Sequence, residues 1–405
     1  MTSANASSRT GTMEPLLLPA SDGTLTPYRL RPRSEAFNAE LTGKPATRSV
    51  YAAAHVVANP FVDPTDRGTA NEIDWNATMA FRRHLMSLGL GVADAMDTAQ
   101  RGGGLDWTLA KTLIQRSGAE ARAMGGNLVC GALTDQLAPG QIWPLEQLVD
   151  AYLEQATWIR ECGGVPVLMA SRHLAAAAAS VADYERVYDD VLRQVDGPVF
   201  MHWLGEAFDP SLRGYWGTTD LDAAADTFLA IIGRHSAKVA GVKISLLDEQ
   251  REVDIRRRLP EGVLMHTGDD FNYVPLIAGD GPDGHDHSHA LLGVFDALAV
   301  PARAALARLD DGDIGGFAAI LEPTVPLARH LFTAPTSAYK TGVVFLAWLN
   351  GHQDHFRMVA GAELQRSVLH LTRVLTLADE AGALADPDLA HARMRSFLAT
   401  VGIES

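Results

Sequence analysis

From about residue 49 to residue 300 the chain alternates short apolar runs with longer stretches of helical period, eight times in succession. The apolar runs are 49–57, 91–96, 127–133, 165–170, 198–201, 239–245 and 262–265, with 283–289 holding the eighth place despite poor strand propensity. Each is followed by a helix-like segment. Trp75, Met79, Leu85 and Leu88 fall near one face and stop at Gly89; Leu109, Leu113, Ile114 and Ala121 follow a capping Asp106 and stop at Gly125-Gly126. Leu145, Leu148, Tyr152, Ala156 and Ile159 mark a third helix closed by Gly163-Gly164, and a fourth runs from the alanines after His173 to about Val195. A fifth begins near Thr219, where Thr219 and Asp222 stand at capping-box spacing; the sixth spans 248–259 and the last starts near Leu291. Strands that are apolar throughout are covered on both faces, and parallel neighbours need a helical crossover. Eight such units in order predict an α/β chain folded as a (β/α)8 TIM barrel. An open doubly wound sheet would show a glycine-rich phosphate loop after its first strand; here that strand exits into Asn59-Pro60-Phe61.

The pattern divides the chain into a tail and hairpin extension (1–47), the barrel (48–309) and a C-terminal helical region (310–405). Leu16-Leu17-Leu18 and Leu25-Thr26-Pro27-Tyr28 flank the turn signal Ser21-Asp22-Gly23. Met1 to Thr12 are small and polar and lack the apolar run of a secretory signal, and Met13 could be a second start. Helical segments are expected over 317–332, 338–349, 363–381 and 387–401. The formal charge of −15 argues against nucleic acid or an anionic membrane as partner. Two cysteines, Cys130 and Cys162, form no disulfide framework and no zinc-ribbon spacing. No apolar run has the length of a membrane span, and a cytoplasmic location is the expectation.

In a barrel of this kind the downstream ends of the strands converge on one mouth. Read in order, those ends carry His55; Asp97 and Thr98; Thr134 and Asp135; Ser171, Arg172 and His173; His202; Lys243 and Ser245; His266 and Asp269; and His285, His287 and His289. Lys243 closes the apolar run Val239-Ala240-Gly241-Val242-Lys243-Ile244-Ser245. An ammonium there loses hydration, its pKa falls, and the neutral amine becomes available as a nucleophile. The local alternative is a strand-end lysine that reaches back to solvent. Imidazoles at positions 202 and 266 titrate near neutrality when unperturbed, which suits acid–base work. Arg172 could grip a carboxylate or phosphate as a fork, and Tyr273 could offer a phenol to the mouth.

Several of these motifs, in this order, resemble the dihydrodipicolinate synthase and N-acetylneuraminate lyase superfamily, and look most like a divergent branch of it. Asn59-Pro60-Phe61 followed by Ile73-Asp74-Trp75 is similar to the family's opening, and Gly241-Val242-Lys243 to its G-x-K on the sixth strand. Gly268-Asp269-Asp270 is similar to its G-x-D, and Phe332-Thr333-Ala334-Pro335 with Lys340 to its tail segment. The resemblance covers roughly residues 48 to 350. It implies that Lys243 forms a Schiff base, and that the protein is an oligomer, a dimer or tetramer, to which the C-terminal helices contribute contacts. Two departures stand out. His202 occupies the place of the family's strand-five tyrosine, and Met96-Asp97-Thr98-Ala99-Gln100 replaces its carboxylate-binding loop. Asp97 would repel a carboxylate, so a neutral keto-sugar or other polyol-derived carbonyl suits this Asp- and His-lined mouth better, because these groups hydrogen-bond hydroxyls.

The expectation is therefore a Schiff-base lyase or dehydratase of class I aldolase type, acting on a small keto acid or a keto-sugar-derived carbonyl compound. Lys243 is its nucleophile and His202 its acid/base; Asp97, Thr98, His55, Arg172, Ser245, His266 and Asp269 are substrate contacts, and no organic cofactor is required. An alternative is a metal-dependent barrel isomerase or hydrolase holding a divalent ion with His55, His202 and His266. A second is a non-catalytic metabolite-binding barrel, whose lysine and histidines would not converge.

Overall fold

The computed structural model describes residues 14–38, 41, 43–63, 68–279 and 286–404. The first two strands, β1 (Leu16–Pro19) and β2 (Leu25–Tyr28), pair antiparallel around the Asp22-Gly23 turn. Eight further strands follow: β3 (Val50–Ala53), β4 (Gly91–Asp94), β5 (Leu128–Ala132), β6 (Val165–Leu168), β7 (Val199–Leu204), β8 (Val239–Ser245), β9 (Leu264–Thr267) and β10 (His289–Leu292). They close into one parallel barrel in sequence order, β10 pairing back onto β3. The (β/α)8 architecture and the hairpin extension are as the alternation requires.

Side chains fill the barrel rather than leave a pore. Tyr51, Val129, Val167, Phe200 and Leu291 form one buried cluster drawn from β3, β5, β6, β7 and β10. A second apolar core lies outside the strands and runs without a break into the C-terminal helices.

The helices begin where their caps place them. Asp74 accepts from the Ala77 amide, Asp106 from Leu109 and Asp248 from Arg251. Three local expectations need correction. The fourth helical stretch breaks into Arg172–Ala177 and Val181–Gln194, because Ser180 and Asp183 form a capping box that starts a new helix. The helix at Leu221–Arg234 is capped by Asp220, which accepts from Asp222 and Ala223, and not by Thr219. The eighth strand is the apolar His289-Ala290-Leu291-Leu292, downstream of the histidine-alternating segment, so Leu291 belongs to the strand and not to a helix. Of that segment, His285 lies outside the described residues, as do Met13 and the residues before it.

Beyond the barrel come the helices Ile314–Leu321, Val325–Leu331, Tyr339–Leu349, Val368–Glu380 and Pro387–Thr400. Every residue of Tyr339–Leu349 is buried. Tyr28 donates to Asp379 at 2.7 Å and the Arg31 amide to the same carboxylate at 2.9 Å, which ties the N-terminal hairpin to a C-terminal helix. Among the described residues no helix is long and apolar enough to cross a membrane.

Candidate active site at the barrel mouth

Strand register places three ionisable residues in one row: His202 on β7 is opposite Lys243 on β8, which is opposite His266 on β9. Their side chains then part company. A Cβ built on Gly268, two residues past His266, would lie 2.6 Å from Lys243 Cε and 2.2 Å from Ser245 Oγ. A Cβ on Gly241, two residues before Lys243, would lie 3.1 Å from the His266 ring. The lysine stem thus runs up toward the mouth through a gap that only glycine at 268 leaves open. The imidazole of His266 turns down into the barrel, against Phe200 at 4.7 Å and Tyr51 at 5.9 Å between centroids. His266 is fully buried, and desolvation pushes its pKa down to about 3. It is neutral packing below the site and does not reach the mouth.

Lys243 is 9% exposed. Burial lowers its pKa from the ordinary lysine value, and the nearby carboxylates of Asp270 and Asp97 partly counter the fall. Asp270 responds in the opposite sense: burial pushes it up to about 7, although the Val294 amide donates to it at 2.8 Å and the lysine charge pulls it down. The mouth therefore holds a depressed lysine facing an elevated carboxyl group. His202 Nε2 lies 3.0 Å from Ser245 Oγ, and its Nδ1 has no partner. Burial, and then the charge of Lys243, hold His202 well below the usual imidazole pKa, so it is neutral.

The C-terminal helix Tyr339–Leu349 completes this group. Tyr339 OH and Thr98 Oγ1 are 2.7 Å apart, and Lys340 Nζ lies 3.6 Å from Asp97. The Tyr339 ring stacks on Phe332 at 4.3 Å, and a Cβ on Gly293 would touch Phe332, Tyr339 and Thr98. Lys243, His202, Ser245, Asp97 and Thr98 are thus gathered at the mouth with Asp270, Tyr339 and Lys340.

Other anticipated residues are placed elsewhere. His55 bonds Asp296 through Nδ1 at 2.8 Å and Gln353 through Nε2 at 3.1 Å, with its ring against Phe81 of the helix Trp75–Ser87. Both nitrogens have partners on the outer side of the strands. Asp269 caps its own loop, accepting from the amides of Phe271 and Asn272. Tyr273 is paired with Thr324, away from the mouth. His289 accepts from the Ser49 amide, and His287 lies against it. The histidines of the metal reading do not converge, and no group of three or more His, Cys, Asp or Glu among the described residues is arranged to hold a metal ion.

A cavity of about 510 Å³ lies over the ends of β4 to β7; Lys243 does not line it, but Asp97, whose charge acts on the lysine, does. Asp97, Thr134, Met169 and Leu204 line it, and Leu204 is the register partner of Ser245. Arg172 is also in its wall, exposed to solvent and paired with Asp209. Arg101 in the same wall forks onto Asp135 at 2.6 and 2.7 Å.

Asp270 and Tyr339 were not anticipated as site residues. Asp270 was legible: inward positions alternate His266, Gly268, Asp270, so the second aspartate and not the first continues the lysine's side of the strand. Nothing in the local pattern around Tyr339 points to the barrel, because its placement depends on how the C-terminal helices pack.

The barrel fold is shared with solved structures. A 4-hydroxy-tetrahydrodipicolinate synthase from Methylacidiphilum fumariolicum SolV superposes with a TM-score of 0.62 at 14% identity, covering 85% of this chain and 99% of that one. A putative dihydrodipicolinate synthetase from Pseudomonas aeruginosa gives 0.60 at 14%, covering 83% and 100%. YagE, a prophage protein of the dihydrodipicolinic acid synthase family from E. coli K12, solved with pyruvate, gives 0.60 at 11%, covering 90% and 99%. The barrel is thus of the dihydrodipicolinate synthase type in fold. No curated protein matches the sequence. Residues 16–403, nearly the whole chain, match the family described as protein of unknown function (DUF993), and the chain belongs to that family.

Proposed function

We propose that the protein is a Schiff-base lyase of aldolase or dehydratase type, acting on a small carbonyl compound with Lys243 as nucleophile. The observation that carries this reading is the buried, pKa-lowered Lys243 at the end of β8, its stem threaded past Gly268 into the mouth. The amine adds to the substrate carbonyl, and loss of water leaves an iminium. In the cleavage direction the bond between the α and β carbons breaks and its electron pair forms an enamine. The β-hydroxyl gives up its proton, and the β carbon leaves as an aldehyde. The enamine carbon then takes a proton back, and water hydrolyses the iminium to release the second carbonyl product and the free amine.

The proton carrier best matched to neutral pH is Asp270, pushed up to about 7. His202, held neutral by burial and by the charge of Lys243, fixes the Ser245 hydroxyl at the mouth. Asp97 and Thr98 orient substrate hydroxyls around the carbonyl under attack, held from behind by Lys340 and Tyr339. The test is borohydride reduction in the presence of pyruvate and a panel of other keto acids and keto sugars, followed by peptide mapping. A reduced adduct on Lys243 with a substrate that is turned over is expected. Turnover with no adduct at Lys243 would overturn the mechanism.

A further inference from the structure

The cavity that meets the mouth at Asp97 has a composition that the mechanism above does not use. Leu133, Leu137, Ile142, Met169, Leu204 and Leu212 supply its wall. Ile142 is 78% exposed, a large aliphatic side chain held at the rim of a cavity by the loop between β5 and the helix Leu145–Glu161. Such exposure costs hydration free energy that contact with an apolar ligand would recover. The charges in the wall are matched already: Arg101 by Asp135, Arg172 by Asp209. A third aspartate, Asp97, adds negative charge at the end nearest the lysine, where Lys340 lies against it. A ligand that carried a carboxylate into this space would meet no arginine without an aspartate. A ligand rich in hydroxyls would leave six aliphatic or thioether side chains facing polar groups.

We propose that this cavity is the specificity subsite, and that it takes an uncharged, largely apolar substituent, aryl or medium-chain alkyl, on the far side of the carbonyl that reaches Lys243. The inference rests on Lys243 as the reacting residue for its orientation, but the subsite binds without it. A volume of about 510 Å³ holds a ring or a short chain together with the carbonyl-bearing carbons. Ile142 and Leu137 close over the substituent from the loop side, and Met169 and Leu204 support it from the strands.

The experiment separates the two claims. Binding of benzyl alcohol, 1-hexanol, xylitol and benzoate is measured by titration calorimetry and by methyl-resolved NMR. The proteins are the intact chain, its Lys243→Ala variant, which can form no adduct, and its Ile142→Ser variant. Benzyl alcohol and 1-hexanol are expected to bind the intact chain and Lys243→Ala alike, shifting the methyl resonances of Ile142 and Leu137. Ile142→Ser, at an exposed position, is expected to weaken both at least about threefold. Xylitol and benzoate are expected to bind more weakly than benzyl alcohol. The proposal is overturned if xylitol or benzoate binds more tightly, if the apolar probes leave those methyls unmoved, or if Ile142→Ser changes nothing. A chain that forms an adduct with pyruvate yet ignores the apolar probes would sink the subsite alone. One that binds the probes but forms no adduct would sink the lysine mechanism alone.

Discussion

At Lys243 two opposing influences meet: burial favours the neutral amine, and the carboxylates of Asp270 and Asp97 favour the ammonium. Removing one carboxylate tests which way the balance tips. Asp270→Asn keeps an oxygen to accept from the Val294 amide but deletes the charge that raises Lys243. The lysine pKa is then expected to fall further, moving the rising limb of adduct formation to lower pH by on the order of one unit. On the proposed mechanism the same variant lacks its proton carrier, and turnover is expected to drop about 10²-fold or more. The pH profile of borohydride trapping and steady-state rates with the trapped substrate measure the two effects separately. At this scale the sequence was informative where side-chain direction followed strand parity. Lys243 and Ser245, two residues apart, could be placed on one side of their strand from spacing alone. His266 shares that parity and still misses the mouth, because a short ring and a four-carbon stem leave the same row in opposite directions. His55 was drawn to the mouth by its place at a strand end; its burial against Asp296 and Gln353 depends on contacts hundreds of residues away.

Among the elements, the helix Glu249–Arg256 carries a titratable group that governs its hold on the barrel. Glu252 is fully buried and accepts from Thr267 at 2.9 Å and Ser288 at 2.7 Å, joining the helix to β9 and to the approach to β10. Burial pushes its pKa from 4.5 up to about 8. Between those values the folded chain binds more protons at this site than the unfolded chain does. Its contribution is therefore fully present below pH 4.5 and is lost as pH rises through about 8. Glu252→Gln, neutral at every pH, is expected to remove that slope. Urea midpoints at several pH values across this window, compared between variant and parent, should diverge in the variant's favour as pH rises. A constant difference would refute the assignment. Element boundaries were legible where a cap or a glycine announced them, as at Asp106 and Gly125. They were misread where two signals competed. Asp220 outdid Thr219 as a cap, and the apolar His289-Ala290-Leu291-Leu292 outdid the alternating histidines as the eighth strand.

Across the whole molecule, the barrel and the C-terminal helices share one apolar core, and the buried helix Tyr339–Leu349 packs on Val294–Ala297 just past the last strand. A chain cut after Gly312 would expose that surface. The greater part of it is expected to be insoluble, with any soluble fraction binding a hydrophobic dye; a soluble, cooperatively unfolding fragment would show that the barrel stands without its appendix. The eightfold alternation made the barrel legible because it is local and periodic. The contribution of the tail was not, because it is a matter of packing between segments far apart in the chain. The Thr98–Tyr339 hydrogen bond has a consequence for the chain as it is being made. The last barrel strand, β10, ends at residue 292, but the phenol that reaches Thr98 and the ammonium that faces Asp97 come from residues 339 and 340. The ribosome adds residues 293 to 340 over about 2–10 s. For that interval a nascent chain carries all eight barrel strands and Lys243 without the phenol and ammonium that meet Thr98 and Asp97, so the mouth is complete only once residue 340 is in place.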